Sequence, residues 1–500
     1  MDAMALNAGD ANLAAELLRN YFLEHPDVHL HEPGQLPARI GGDGSGYALD
    51  QQGSRLVCHF WSPQANLVRR ITGIRQSGDR LLLDVIRLGQ SRPLRMTITS
   101  ATSVPLRAGE RLAFRQALVA AAERDWPEWR CQPTTAPAEH SRLHRLLFRR
   151  QHHLLPCVAL DDASSAANCM QALAQSLVWA QQCRLRDPES LLAAVRLVLP
   201  QGAEAWLRLL RSSLRAAPPL ECFRLDTSAG RLEPVALSDT GNTDFRLRRA
   251  PQHQSPDHAA AALLARVRLH CPQATWELTG DGLGFISVYG LEAVRQSADM
   301  EAAGAAFVFG CGGEQTPLLP ATDALFQTWL LRLGRERTPE ANRTQPLYAL
   351  QPERWMGNLL QHDPSALDLQ LHPEQMYAQV PMSTPGGTGV LDLLALNRAG
   401  RLIAIELKAT EDLCFPLQAL TYWSQVRQHL GQGDLQRLGY FPGRVLSSEP
   451  PLLWLVAPAL RWHPDTPLLT RWFAPEVPAT LIGINEEWRR GFQIVFRKDL

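Results

Sequence analysis

The residues best suited to chemistry lie in one segment, GVLDLLALNRAGRLIAIELKA, whose two apolar runs flank the turn sequence NRAGR. Because the turn contains a glycine that can adopt a positive φ angle, the pattern predicts a β-hairpin. Side chains alternate between the two faces of a strand. If Leu396 pairs with Leu402, then Asp392 lies opposite Glu406 on the neighbouring strand.

Two carboxylates at that spacing repel each other and destabilise the hairpin unless a cation lies between them. Mg²⁺ binds one or two carboxylates and completes its octahedron with water and substrate phosphate. Asp392 and Glu406 are therefore predicted to bind Mg²⁺ or Mn²⁺. Lys408 lies one strand repeat beyond Glu406, where its ammonium could hold the attacking water. The alternative is a solvated strand face on which Glu406 and Lys408 form a salt bridge.

Lysine is rare in this chain, since only Lys408 and Lys498 contribute to the 50 basic residues and all others are arginine. An arginine at position 408 would be a poor proton-transfer group, because its pKa stays above about 12. A lysine on an otherwise apolar strand therefore favours a catalytic role over a purely electrostatic one.

Together, Asp392, Glu406 and Lys408 resemble the motif of the PD-(D/E)xK nuclease superfamily. The following segment is similar to the QxxxY helix of the RecB-like members, with Gln418 and Tyr422 on one helix face. The resemblance covers about 347–500. It implies a restriction-endonuclease-like α/β core, a mixed sheet flanked by helices, with catalysis by all five residues and nucleic-acid contacts from Gln418 and Tyr422.

Upstream, QPERWMGNLL is predicted to be a helix on which Glu353 matches an additional metal-binding glutamate of many members. The alternative is an acid stabilised by the helix dipole. The C-terminal domain is also similar to EndoMS/NucS-type endonucleases, but a long insert at 110–335 departs from them, so their substrate is not carried over.

Two arginine-rich segments could contact phosphates. The first is a predicted small sheet in which Arg69, Arg70 and Arg75 are the nucleic-acid-binding candidates. The second is 140–153, HSRLHRLLFRRQHH, interpreted either as a phosphate-contacting run or as a core-covering helix with an arginine rim. An ordinary solvated surface is the alternative for the first segment. No phosphate-binding loop, dinucleotide fingerprint or serine-hydrolase elbow occurs in the sequence.

The predicted fold class is α/β multidomain. A helix (11–24) and a small antiparallel sheet or half-barrel (strands 55–61, 68–74, 80–88 and 94–99) make up domain 1–110. A middle α/β domain (111–238), a connecting α/β region (258–335) and the nuclease domain (347–500) follow, with polar linkers at 239–257 and 335–346. Gln171-Ala172-Leu173 echoes Gln418-Ala419-Leu420, which makes the middle domain a candidate degenerate copy of the nuclease domain.

The overall composition argues for a folded, soluble chain. Its 50 basic and 50 acidic residues cancel and 45% of residues are hydrophobic, which excludes a uniformly basic nucleic-acid coat. Nine scattered cysteines without CxxC spacing predict reduced core thiols in a cytoplasmic protein. No signal peptide or membrane span is expected.

The predicted function is a metal-dependent nuclease acting on nucleic acid, most simply DNA, in repair or defence. A homodimer or protein partners could be held through the N-terminal and middle domains. The alternatives are a catalytically silent nuclease-fold module for nucleic-acid binding or assembly, and an arginine-rich protein-interaction protein.

Overall fold

The computed structural model describes residues 8–25, 27–32, 38–41, 45–52, 55–62, 65–77, 80–87, 94–100, 108–133, 143–161, 166–200, 203–226, 229–238, 247–251, 255–279, 282–297, 305–311, 315–384 and 387–500. The chain is mixed α/β and divides into two compact units, each built from two segments of sequence. They are Met1–Val104 with Pro251–Asn358, and Pro105–Ala250 with Leu359–Leu500. Within the described ranges, no helix is long and apolar enough to cross a membrane.

The first unit begins with helix α1 (Ala8–Glu24) and a seven-stranded antiparallel sheet. Small residues of α1 such as Ala11 and Ala14 pack with alternate side chains of the strands, which explains the period-two burial of the sheet. The predicted helix and the four predicted strands are confirmed. The strands are β1 (Val28–His31), β2 (Ala38–Ile40), β3 (Gly46–Gln52), β4 (Arg55–Ser62), β5 (Ala65–Ser77), β6 (Arg80–Arg87) and β7 (Leu94–Ser100), in the order β2-β1-β7-β6-β5-β4-β3.

The second part of this unit is a five-stranded antiparallel sheet with three helices and the first part of a fourth, α8 (Pro352–His362), which continues into the second unit. The elements are α5 (His258–Arg268), β15 (Thr275–Leu278), β16 (Gly284–Val288), β17 (Leu291–Gln296), β18 (Phe307–Phe309), β19 (Thr316–Pro317), α6 (Asp323–Glu336), α7 (Pro346–Ala349) and α8. The predicted linker 335–346 is anchored to this fold. Its Arg337 is fully buried and donates to the carbonyls of Tyr289 and Leu347, at 2.8 and 2.9 Å. The predicted linker 239–257 lies partly outside the described residues.

The middle sheet of the second unit has the order β14-β13-β12-β10-β9-β8, with the short β11 beside β10. The elements are α2 (Ala108–Asp125), β8 (Arg130–Gln132), β9 (Leu143–Arg150), β10 (His153–Leu160), α3 (Ala166–Arg186), β11 (Leu191–Leu192), β12 (Val195–Val198), α4 (Glu204–Leu210), β13 (Leu220–Asp226) and β14 (Arg231–Val235). Strands β8, β9, β13 and β14 were not predicted from the sequence.

The helix interpretation of 140–153 is wrong for its described part, because Leu143–Arg150 forms strand β9. All eight of its residues pair with β10, and its burial alternates as in a strand with one face more buried. Basic residues in adjacent pairs, His144-Arg145 and Arg149-Arg150, fit neither a strand nor a helix period clearly. The long pairing with the apolar strand β10 decided between them.

The C-terminal sheet is mixed and has the order β20-β21-β22-β23-β24-β25. The elements are β20 (Leu371–Thr384), β21 (Gly387–Asn397), β22 (Leu402–Leu407), α9 (Phe415–Gly431), α10 (Asp434–Arg437), β23 (Leu452–Pro458), α11 (Thr466–Thr470), β24 (Ala479–Ile484) and β25 (Ile494–Asp499). Side chains of α3, α9 and both sheets of this unit form one continuous apolar core. All nine cysteines are free thiols, seven of them buried, as predicted.

Candidate active site at the end of the β21–β22 hairpin

The β21–β22 hairpin has the predicted register. Leu396 pairs with Leu402, and Leu394 pairs with Ala404. Gly400 adopts a φ angle of 78°, the left-handed conformation that the turn requires. The paired residues end at Leu393 and Ile405, so the next two opposed positions are those of Asp392 and Glu406.

Asp392 is fixed at this end of the hairpin by two hydrogen bonds. Its Oδ2 accepts from the backbone amide of Leu407 at 2.9 Å, and its Oδ1 accepts from Nε2 of Gln379 at 3.2 Å. The first bond ties the carboxylate to the residue between Glu406 and Lys408. Both bonds are donated to the carboxylate oxygens and fix the orientation of the group.

Glu406 and Lys408 follow each other on strand β22 and its extension, and both are buried. Glu406 is 2% exposed, whereas the Lys408 side chain is 10% exposed and its Nζ lies 3.4 Å from Oδ2 of Asp412. Asp412 is held in turn by the backbone amide of Cys414, which donates to its Oδ1 at 2.8 Å. Sequence reasoning missed Asp412, although an acid four residues after the lysine was a visible signal.

Helix α9 brings Gln418 and Tyr422 to the end of the hairpin where Asp392 lies. Its first turn contains Pro416, whose ring has the φ angle of a helix start. The Tyr422 hydroxyl lies 3.5 Å from Nε2 of Gln418 and accepts from the backbone amide of Val390 at 3.3 Å. The i, i+4 spacing thus places both side chains at the first residues of β21, close to Asp392.

The ring of Tyr422 passes close to the backbone of Gly389. A Cβ atom at position 389 would lie 2.8 Å from the Tyr422 hydroxyl oxygen and 2.7 Å from Cγ2 of Thr384. Real Cβ atoms essentially never approach other heavy atoms so closely. Glycine at this position is therefore what allows the tyrosine to lie against β21.

Tyr422 also reports the electrostatics of the group. Burial raises the pKa of its hydroxyl to about 12, and the next cause is the negative charge of Glu406. The charge of Asp392 raises it further. Both carboxylates are thus close enough to act on the same hydroxyl, which is neutral at physiological pH.

Gln379 was not identified from the sequence. It lies on β20 beside Asp392 and adopts a φ angle of 51°, which is uncommon for a residue with a side chain. Backbone strain of this kind concentrates at functional sites, where surrounding structure holds it in place. The local sequence does not predict this φ angle, because Gln379 lies within the pairing of β20 with β21.

The donor set fits a divalent cation that takes some of its ligands from elsewhere. No group of three or more histidine, cysteine or acidic side chains that could hold a metal occurs in the part of the chain that the structure describes. Asp392 and Glu406 nevertheless supply two carboxylates. For Mg²⁺ this number suffices when water and substrate phosphate provide the remaining oxygens.

Glu353 lies in the first turn of helix α8, in the segment that was predicted to be a helix. Its role as a metal ligand stays a prediction.

The predicted arginine surface is divided between the two faces of β5. Arg70 and Arg75 are exposed, but Arg69 is 3% exposed and its Nε donates to Oε2 of Glu32 at 2.9 Å. Glu32 also binds Arg87, at 2.6 Å. Arg69 therefore does not form a common phosphate-binding surface with its neighbours, because it is committed to a buried ion pair.

Neither the models of known protein families nor the curated proteins match the chain.

Proposed function

We propose that this protein is a divalent-metal-dependent nuclease that hydrolyses phosphodiester bonds in DNA, with its active site on a restriction-endonuclease-like C-terminal core. The observation that carries the proposal is the convergence of Asp392, Glu406, Lys408 and the Gln418–Tyr422 pair at one end of the β21–β22 hairpin. A mixed sheet with α9 packed on it supports the same assignment.

Asp392 and Glu406 would hold the cation, which when bound polarises the scissile phosphate and lowers the pKa of its bound water. The hydrogen bond from Leu407 orients the Asp392 carboxylate towards the strand that bears the other two residues. The two carboxylates repel each other when both are ionised, and a cation bound between them would remove this repulsion.

Lys408 is suited to positioning the attacking water. Its side chain is largely enclosed, and its Nζ lies 3.4 Å from Oδ2 of Asp412, which holds the ammonium on the extension of β22 that follows Glu406. A positive charge at this position offsets the negative charge that develops on the phosphate oxygens.

Gln418 and Tyr422 are suited to contacting the nucleic-acid backbone beside the scissile bond. A tyrosine with its pKa raised to about 12 stays protonated and can donate a hydrogen bond at neutral pH. The side-chain amide of Gln418, one turn earlier on the same helix face, can both donate and accept hydrogen bonds.

The proposal is tested with single-stranded, duplex and branched DNA, each incubated with Mg²⁺, Mn²⁺ or EDTA. We expect cleavage that requires the cation and that disappears in Asp392→Asn. Salt-sensitive DNA binding without cleavage would instead favour a silent nuclease-fold module. If the protein neither binds nor cuts any of these substrates, an arginine-rich protein-interaction role replaces the nuclease.

A further inference from the structure

The middle and C-terminal sheets of the second unit have the same topology. In both, strand pairs are antiparallel, antiparallel, parallel, parallel and antiparallel, in sequential order from one edge to the other. A long helix follows the third strand (α3 or α9), and a short helix follows the fourth (α4 or α11). Helix α9 packs on α4, and α3 packs on α11, so the helix contacts are reciprocal.

Register establishes which residues are equivalent. Strand β12 contains Leu197-Val198 with Pro200, and β23 contains Leu455-Val456 with Pro458, at the same spacing. Leu197 pairs with Val158 and Cys222, whereas Leu455 pairs with Glu406 and Leu481. Cys222 therefore corresponds to Leu481, and Val158 occupies the position of Glu406.

The contact between the copies obeys two-fold symmetry. Leu214 lies eight residues before Cys222, and Phe473 lies eight residues before Leu481. These two equivalent residues pair with each other in an antiparallel bridge. Arg215 N donates to Trp472 O at 2.8 Å, and Ala474 N donates to Ser213 O at 2.9 Å. An interface in which equivalent residues contact each other is isologous, the arrangement found in two-fold dimers.

The middle copy lacks the catalytic set. Arg145, which pairs with Val158, occupies the position of Asp392, and Leu160 occupies the position of Lys408. Arginine has no acceptor and stays charged, so these side chains offer no metal ligand. Arg145 donates instead to Gln175, which corresponds to Tyr422 through the shared Gln-Ala-Leu triplet of α3 and α9.

The acidic residue that follows Leu160 directly, Asp161, has its side chain on the opposite face of the strand. Its Oδ2 contacts Nε2 of His144 at 3.3 Å, and both side chains are buried. His144 packs against Phe114 of α2, away from the face that carries α3. Asp161 therefore does not restore a metal site beside Arg145.

We infer that the second unit is a two-fold pseudodimer within one chain with a single competent active site, and that it nicks one strand of duplex DNA. The inference rests on the proposed function. Two-fold proteins address the two strands of a duplex with equivalent surfaces, and here only one of those surfaces carries chemistry. Each event adds one water across one P–O bond: the water oxygen bonds to phosphorus, and the departing sugar oxygen takes up a proton.

The test uses the full chain and supercoiled plasmid with Mg²⁺ or Mn²⁺, with products separated as supercoiled, open-circular and linear DNA. We expect open circles to accumulate almost completely before linear DNA forms. Asp392→Asn should lose at least 100-fold in nicking rate. Arg145→Gln, at the equivalent position of the other copy, should keep the rate within about twofold, with folding checked by circular dichroism.

Linear DNA formed from the earliest time points would overturn the inference, as would nicking that survives in Asp392→Asn. If single-stranded or branched DNA is cut but plasmid is not, nicking fails while the proposed nuclease stands. If no substrate is cut, both fail together.

Discussion

The carboxylate of Asp392 accepts a hydrogen bond at 2.9 Å from the backbone amide of Leu407, the residue that separates Glu406 from Lys408. This bond couples the two strands at the point where their regular pairing ends. Because the bond joins the two strands, the position of Asp392 depends on the register of the hairpin. Substitutions that keep the hydrogen bond but remove the charge therefore test the two contributions separately.

Lys408→Arg keeps the positive charge but replaces a compact ammonium with a planar, larger group. We expect cleavage to fall about 100-fold or more, the scale of losing a positioned proton-transfer group. The matched control is Lys498→Arg, the other lysine of the chain, which should leave the rate unchanged. A fully active Lys408→Arg protein would show that only charge matters at this position.

Asp392→Asn keeps an oxygen that can accept from Leu407 but removes the charge needed by a cation. We expect the melting temperature of the wild type to rise with Mg²⁺ and that of the variant to stay constant, as measured by differential scanning calorimetry. Saturation at 100 times Kd corresponds to about 2.7 kcal/mol of stabilisation. A wild-type melting curve that ignores Mg²⁺ would argue against a cation at these carboxylates.

Gly389→Ala introduces a methyl group against Tyr422 and Thr384. We expect a loss of about 1–3 kcal/mol in unfolding free energy, typical of overpacking, together with reduced cleavage. In a Tyr422→Phe background the penalty should be smaller, because the hydroxyl oxygen, at 2.8 Å from the added Cβ, is one of the clashing atoms. Urea unfolding of the two single variants and the double variant measures this coupling, and strictly additive values would contradict the contact.

Tyr422 should make stability depend on pH in the alkaline range. Its folded pKa is raised to about 12, whereas an unfolded tyrosine titrates near about 10. Its contribution is complete below pH of about 10 and is lost as pH rises towards about 12, because only the unfolded state releases the proton. Tyr422→Phe should therefore flatten the decline of unfolding free energy in urea titrations between these values. An unchanged slope would mean that the hydroxyl titrates normally.

The arginines of β5 should separate into two classes. Charge reversal at Arg70 and Arg75, both exposed, is expected to weaken DNA binding and to flatten its salt dependence without affecting the fold. Arg69→Gln should instead destabilise the protein, at the lower end of the roughly 3–5 kcal/mol for a broken buried pair, because Arg87 still pairs with Glu32. Gel-shift titrations at several salt concentrations and urea unfolding distinguish the two. Unchanged affinity after reversal of Arg70 and Arg75 would make them ordinary solvated residues.

The sequence by itself determined the hairpin and its register. The turn sequence NRAGR, with Gly400 at a φ angle of 78°, favours the pairing of Leu396 with Leu402, and strand alternation then places Asp392 opposite Glu406. The shared helix face of Gln418 and Tyr422 followed from their i, i+4 spacing.

Only the tertiary structure decided which charged residues are available and which are committed. Arg69 and Arg70 are neighbours in sequence, yet one is buried against Glu32 and the other is exposed, because strand faces alternate and the partner comes from a distant segment. The strained Gln379, the Asp412 partner of Lys408 and the bridge between Leu214 and Phe473 likewise depend on contacts across strands and segments. Local periodicity predicts which face of a strand or helix a side chain lies on, but it does not predict which distant residues pack against that face.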